Sequence, residues 1–211
     1  MNTTSKITNW QVPCPMPNPV PADDFHRLGE LLAGRRPRHV AATSDQREAA
    51  VAAVLTPSAA GAPDLLLIKR AEHPGDPWSG QIALPGGRRD PADRDLLATA
   101  IRETQEETGI SLPPASLLGQ LDDLSPVSRH LPQLVVRPYV FYLPTKPEVI
   151  PSEEVALHLW MGCDALLAHR SEESLIIRGE SWRVTGYRIG PHFIWGMTER
   201  ILSPFLELAF G

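Results

Sequence analysis

The stretch RETQEETGI, residues 102–110, sets three glutamates and an arginine within six positions and closes on a glycine. Its setting is helical. From Pro91 to Thr108 the sequence reads as one helix, with proline at its start, Leu96, Leu97, Ala100 and Ile101 in helical spacing, and Gly109 as the stop. At about 100° per residue, Leu97, Ala100, Ile101, Thr104 and Thr108 share an arc of roughly 100°, the face that packs, with Leu96 at one edge. Glu103 and Glu107 fall on that same edge, so a row that begins as core turns acidic toward the helix C-terminus. Glu106 and Arg102 lie one row further out.

Such crowding is unfavourable by itself. Carboxylates in a last turn oppose the helix dipole, and at about 6 Å with an effective dielectric near 20 each ionised pair costs roughly 2–3 kcal/mol. Arg102, four residues before Glu106, offsets only part of this. An isolated E-x-x-E-E is ordinarily a solvated helix face, but Glu103 and Glu107 border the apolar arc, which argues against full solvation. A hard divalent cation resolves the conflict, because magnesium takes carboxylate oxygens and keeps waters that a phosphate displaces.

Ahead of the helix runs GQIALPGGRRDPADRD, residues 80–95: a short apolar strand, Ile82 to Leu84, then Pro85, Gly86 and Gly87. A Gly-Gly turn exposes its backbone amides and lets a phosphate approach closely, while Asp90 or Asp93 caps or charges the helix start. Taken with the helix, the segment resembles the Nudix hydrolase box, G-x5-E-x7-R-E-U-x-E-E-x-G-U with U bulky and aliphatic. Arg102, Glu103, Glu106, Glu107, Gly109 and Ile110 fit it in register. Thr104 stands where the family prefers an aliphatic side chain. Fourteen residues separate Gly87 from Arg102, one more than the common box, and Asp93 replaces the early glutamate.

The longer spacing, the P-G-G before it and TAIRET at residues 99–104 resemble the coenzyme A pyrophosphatase branch of that family. The branch also carries R-[SA]-x3-R-x3-G-Q upstream; here RAEHPGDPWSGQ, residues 70–81, keeps Arg70 and Ala71, has Gly75 in place of the second arginine, and reaches Gly80-Gln81 one residue late. The resemblance spans roughly residues 48–145. It implies an α/β fold, the Nudix α/β/α sandwich with a mixed central sheet, and a Mg2+- or Mn2+-dependent hydrolase cleaving a diphosphate linkage in a nucleoside diphosphate derivative. Coenzyme A or an acyl derivative, giving adenosine 3′,5′-bisphosphate and 4′-phosphopantetheine, is the first substrate class. ADP-ribose, other nucleoside diphosphate sugars and oxidised nucleoside triphosphates are alternatives, as is a Nudix-fold module that binds a nucleotide without cleaving it.

By the same resemblance, Glu103 and Glu107 are the metal-ligand pair, with Glu106 assisting as ligand or base and Arg102 orienting Glu106. Gly86, Gly87, Arg70, Arg88 and Arg89 are the substrate-contact candidates around the phosphate loop. His73, His130 and His192 are scattered without ligand spacing and are not metal ligands. WGMTER, residues 195–200, reads as a helix start packing an aromatic. The stretch from Ser125 to Pro138 reads as a loop feeding a strand on the substrate side.

The 211 residues are 42% hydrophobic with a net charge of −5, enough for a full core and no pointer to nucleic acid. Cys14 and Cys163 are too few for a disulfide framework, and neither a signal peptide nor a membrane span is apparent. The expectation is a cytoplasmic enzyme acting on a small nucleotide, with a homodimer compatible. Residues 1–44 read as a Pro-rich arm, with five prolines between Val12 and Pro21, followed by a short helix near Asp24–Leu32; residues 45–211 read as the catalytic domain. Strands are expected at Ala49–Leu55, Asp64–Lys69, Gln81–Leu84, Leu117–Leu121, Leu134–Tyr142 and Val155–Trp160. A short helix at Cys163–Ala168, a hairpin of Ser174–Arg178 with Trp182–Ile189, and a closing helix at Gly196–Ala209 complete the pattern, without internal repeats.

Overall fold

The computed structural model describes residues 22–41, 46–59, 61–76, 78–126, 133–177 and 179–210. The Pro-rich arm, Cys14 and His130 lie outside them. In chain order the elements are α1 (Ala22–Ala33), β1 (Arg47–Ser58), β2 (Gly61–Arg70), β3 (Ile82–Ala83), β4 (Gly86–Arg88), α2 (Leu96–Thr108), β5 (Leu117–Gln120), β6 (Leu134–Tyr142), β7 (Val155–Gly162), α3 (Cys163–Ala168), β8 (Arg170–Ile177), β9 (Glu180–Ile189), β10 (His192–Trp195) and α4 (Met197–Phe210).

The main sheet is mixed. Strand β1 runs parallel to β6 from the Arg47–Leu134 pair to Leu55–Tyr142. Its other edge is divided: Leu55–Ser58 pair with β2, while Ala49–Val51 pair with β4. Strand β2 also carries β3 and β7, and β6 carries β5. The alternation of β1 sends Ala50, Ala52 and Val54 to one face, where they pack with Leu96 and Ala100 of α2. Ala49, Ala53 and Leu55 face the other way, into a core shared with Phe25 and Leu28 of α1, Leu166 of α3, and Leu202 and Phe205 of α4. Helices therefore cover both faces of one sheet, the expected α/β/α sandwich, and Phe25 stacks on Tyr142 with ring centroids 3.8 Å apart. A second sheet, β10-β9-β8, adjoins it.

Three local expectations are corrected. The helix of the acidic cluster begins at Leu96, not Pro91, because Asp95 is its N-cap and accepts from the Ala98 N–H at 2.8 Å. Asp90 and Asp93 cap no helix; Asp90 accepts from the Ala92 N–H and Asp93 from the Asp90 N–H, turning residues 90–93 into a local bend. The Gly86–Gly87 pair is a strand rather than a turn. Residues 192–195, to which the sequence reading assigned no strand, form β10 and pair with β9. Helix α2 ends as read, on Gly109 at φ 71°. Thr104 and Thr108 tolerate their buried positions because each hydroxyl donates to the carbonyl four residues back, at 2.7 and 2.6 Å.

Candidate active site

The divided edge of β1 opens a cleft of about 610 Å³ where β4 meets the last turn of α2. Glu103, Glu106 and Glu107 reach it from α2, Gly86, Gly87 and Arg88 from β4, and Arg70 from the end of β2. Ala49, Val51, Leu134 and Val136 give it an apolar floor. The helix places Glu107 deepest, at 3% exposure. Its Oε2 accepts from the Gly86 N–H at 2.8 Å, and its Oε1 lies 3.9 Å from Arg70 Nη1. Desolvation raises its pKa from 4.5 to about 7, against the lowering influence of Gly86 and Arg70. Burial also raises Glu103, with Arg102 opposing.

Close packing explains the glycines. A Cβ on Gly87 would lie 2.5 Å from the Glu103 carboxyl, and one on Gly86, at φ 146°, would lie 2.3 Å from the Ala50 carbonyl oxygen. Backbone and carboxylates thus meet with only hydrogen between them. The Gly86 amide, expected to face a phosphate, is instead spent on Glu107.

Arg102 is the organiser of the outer rim. It forks onto Asp93, with Nε–Oδ1 at 3.0 Å and Nη2–Oδ2 at 2.9 Å. It also reaches Glu106 at 2.8 Å, Glu103 at 2.9 Å and the Arg88 carbonyl at 3.1 Å. Asp93 further accepts from the Thr99 hydroxyl at 2.9 Å, and the Arg102 hydrogen bonds hold its carboxyl well below the ordinary carboxylate range. Glu106, 58% exposed at the side chain, stands at the solvent side of the cluster. Arg89 does not join the cleft: it pairs with Glu48 at 2.9 Å and bonds the carbonyls of Asp93 and Arg94. His73 and His192 do not line it either.

Of the acidic and aromatic lining, three residues escaped the sequence reading: Asp76, Trp78 and Glu154. Glu154 comes from the β6–β7 connection, which is fastened to the end of α2 by Ile150 N–H to Thr108 O at 2.8 Å and Ser152 N–H to Glu107 O at 3.0 Å. Ala71 N–H then bonds Glu154 O at 2.7 Å, bringing it beside Arg70. Only the long-range pairing of β2 with β7 reveals this neighbour; a glutamate more than forty positions after the helix, with Glu153 beside it, carries no local signal.

The oxygen donors suit a hard divalent ion. Two partly or wholly desolvated carboxylates, Glu103 and Glu107, face a cleft whose nearest cations, Arg70 and Arg102, are shared with other acids. Among the described residues no three acidic, histidine or cysteine side chains already converge as a complete metal cage, so such an ion would draw the rest of its shell from water and substrate oxygens.

A family model for the NUDIX domain matches residues 46–178, well over half of the chain. The chain belongs to the Nudix hydrolase family. Human mitochondrial coenzyme A diphosphatase NUDT8 is 33% identical to it over 200 residues, covering 92% of this chain and 81% of that protein. The Nudix hydrolase NudL of Photorhabdus laumondii is 34% identical over 159 residues, covering 74% and 83%. A solved MutT/nudix family protein from Enterococcus faecalis shares the fold at a TM-score of 0.52 and 17% identity, over 88% of this chain and 70% of that one. The Nudix hydrolase described here is accordingly a pyrophosphohydrolase built on a mixed sheet between helices. No helix among its described residues is long and apolar enough to cross a membrane.

Proposed function

We propose that this Nudix pyrophosphohydrolase cleaves the diphosphate of coenzyme A or an acyl-coenzyme A with Mg2+ or Mn2+, giving adenosine 3′,5′-bisphosphate and the 4′-phosphopantetheine half. The observation that carries the chemistry is the paired burial of Glu103 and Glu107 against Gly86 and Gly87. The substrate class is supported by the similarity to coenzyme A diphosphatase NUDT8 over most of the chain.

Glu103 and Glu107 are the residues that hold the ion, and Glu106 stands beside them. A divalent cation bound there neutralises the diphosphate and lowers the pKa of attacking water. Arg102, fixed by Asp93, orients Glu106 and Glu103 rather than meeting substrate. Arg70 and Arg88 are the cations that face the diphosphate or the 3′-phosphate, and the apolar floor of Val51, Leu134 and Val136 excludes water from one side of the reacting group.

One observation favours ADP-ribose or another nucleoside diphosphate sugar instead. Gly75 stands where the coenzyme A branch carries an arginine, and Asp76 next to it adds negative charge to the cleft. A substrate without a 3′-phosphate suffers less from both. The deciding measurement is kcat/KM for coenzyme A, dephospho-coenzyme A and ADP-ribose, with and without Mg2+, in wild type and Arg88→Ala. Preference for coenzyme A over its dephospho form that collapses in Arg88→Ala supports the first reading. Turnover of ADP-ribose alone establishes the second.

A further inference from the structure

Arg70 stands between two carboxylates and is bonded to only one. Its Nη2 donates to Asp76 Oδ2 at 2.9 Å, whereas Nη1 stops 3.9 Å short of Glu107 Oε1, outside hydrogen-bond reach. Its Nε is buried without an acceptor among the described residues. Asp76 is itself fixed, since its Oδ1 accepts from the Trp78 N–H at 3.0 Å and its backbone spans the His73 and Ser79 bonds of the same loop. The loop is the very segment that departs from the branch pattern, one residue longer than expected and with Gly75 in the arginine position.

A guanidinium with unused donors beside a desolvated carboxylate ordinarily closes onto it, because charge-assisted hydrogen bonds are the strong ones. Here the pair stays open. We propose that Asp76 is a positioning residue that holds Arg70 off Glu107, keeping that buried carboxylate available to the divalent cation and leaving the guanidinium free to fork onto the substrate diphosphate. The inference rests on the metal-dependent reading above and adds to it a residue outside the Nudix box. Without Asp76, Arg70 falls onto Glu107 and competes with the cation for the same oxygen.

The test is a Mn2+ titration of the metal-free enzyme by electron paramagnetic resonance, with folding checked by circular dichroism, on wild type, Asp76→Asn, Arg70→Ala and the double variant. Asparagine keeps an oxygen for the Trp78 N–H while removing the attraction for Arg70. Asp76→Asn should bind Mn2+ about tenfold more weakly, the scale of one charge-assisted bond, and the double variant should recover the affinity of Arg70→Ala alone. Unchanged affinity in Asp76→Asn overturns the proposal. So does a double variant as weak as Asp76→Asn, which would assign Asp76 to loop structure alone. Failure of the wild type to bind Mn2+ is a different result: it removes the metal-dependent reading itself, and this inference with it.

Discussion

Replacing Glu107 by glutamine should stabilise the metal-free enzyme at alkaline pH while destroying its activity. Glu107 ionises at about pH 7 in the fold against an ordinary 4.5, with desolvation the first cause. The native state therefore binds this proton more tightly than the unfolded chain. The penalty is absent below pH 4.5, grows as the pH rises toward 7, and is constant above it. For a side chain this deeply buried the displacement corresponds to about 3 kcal/mol. Glutamine removes the charge and still offers an oxygen to the Gly86 N–H, whose bond measures 2.8 Å.

The assay is urea unfolding in EDTA at pH 5 and pH 8. At pH 5 the variant should be more stable by only about 1 kcal/mol or less; at pH 8 it should be more stable by up to about 3 kcal/mol, a rise of roughly 6–12 °C in Tm for a chain of this size. Adding Mg2+ should reverse the order, because the ion binds the native wild type and not the variant. The rate should fall at least about a hundredfold, near 3 kcal/mol of barrier. A variant less stable than wild type by the same amount at both pH values would refute the argument, since it would show that the Glu107 charge is already compensated inside the protein.

Two further substitutions separate fold from site. Asp93→Asn removes one side of the Arg102 fork and should cost about 1–2 kcal/mol, moderated by the partial exposure of Arg102; because the Asp93 carboxyl is held below its ordinary 3.8, the difference from wild type should persist at neutral pH and narrow only as the pH falls below that value in acid unfolding. Gly87→Ala sets a methyl 2.5 Å from the Glu103 carboxyl, the movable end of a side chain, so Tm should change little while activity falls roughly tenfold or more as the carboxylate is displaced; retained activity would show that Glu103 does not need its observed position.

Legibility in the sequence followed the range of the forces involved. Helix α2 was readable because its determinants are local: Leu96 and Ala100 at helical spacing, the acidic row at the edge, Gly109 to end it. Its start was misread because three aspartates stand within six positions, and only the folded chain shows that Asp90 takes the Ala92 N–H and Asp93 the Asp90 N–H and Arg102, while Asp95 caps the helix through the Ala98 N–H. Strand β4 was invisible because a Gly-Gly pair has no side-chain pattern; its strand character comes from pairing with Ala49–Val51. Strand β10 is four residues long and depends on β9. Helix α4, by contrast, was read at Gly196–Ala209 and found at Met197–Phe210, and the Thr198 hydroxyl ties it to the Ile82 carbonyl at 3.0 Å, 116 positions away. The candidate site divides in the same way. The glutamates share one helix, so one turn of sequence shows them together. The surroundings that give them their chemistry come from elsewhere: the Gly86 amide that meets Glu107, Asp76 that takes Arg70, and the chain around Ser152 that carries Glu154 to the cleft. A carboxylate's identity is therefore legible locally, but its ionisation is not, because desolvation is supplied by residues that only tertiary pairing brings within reach.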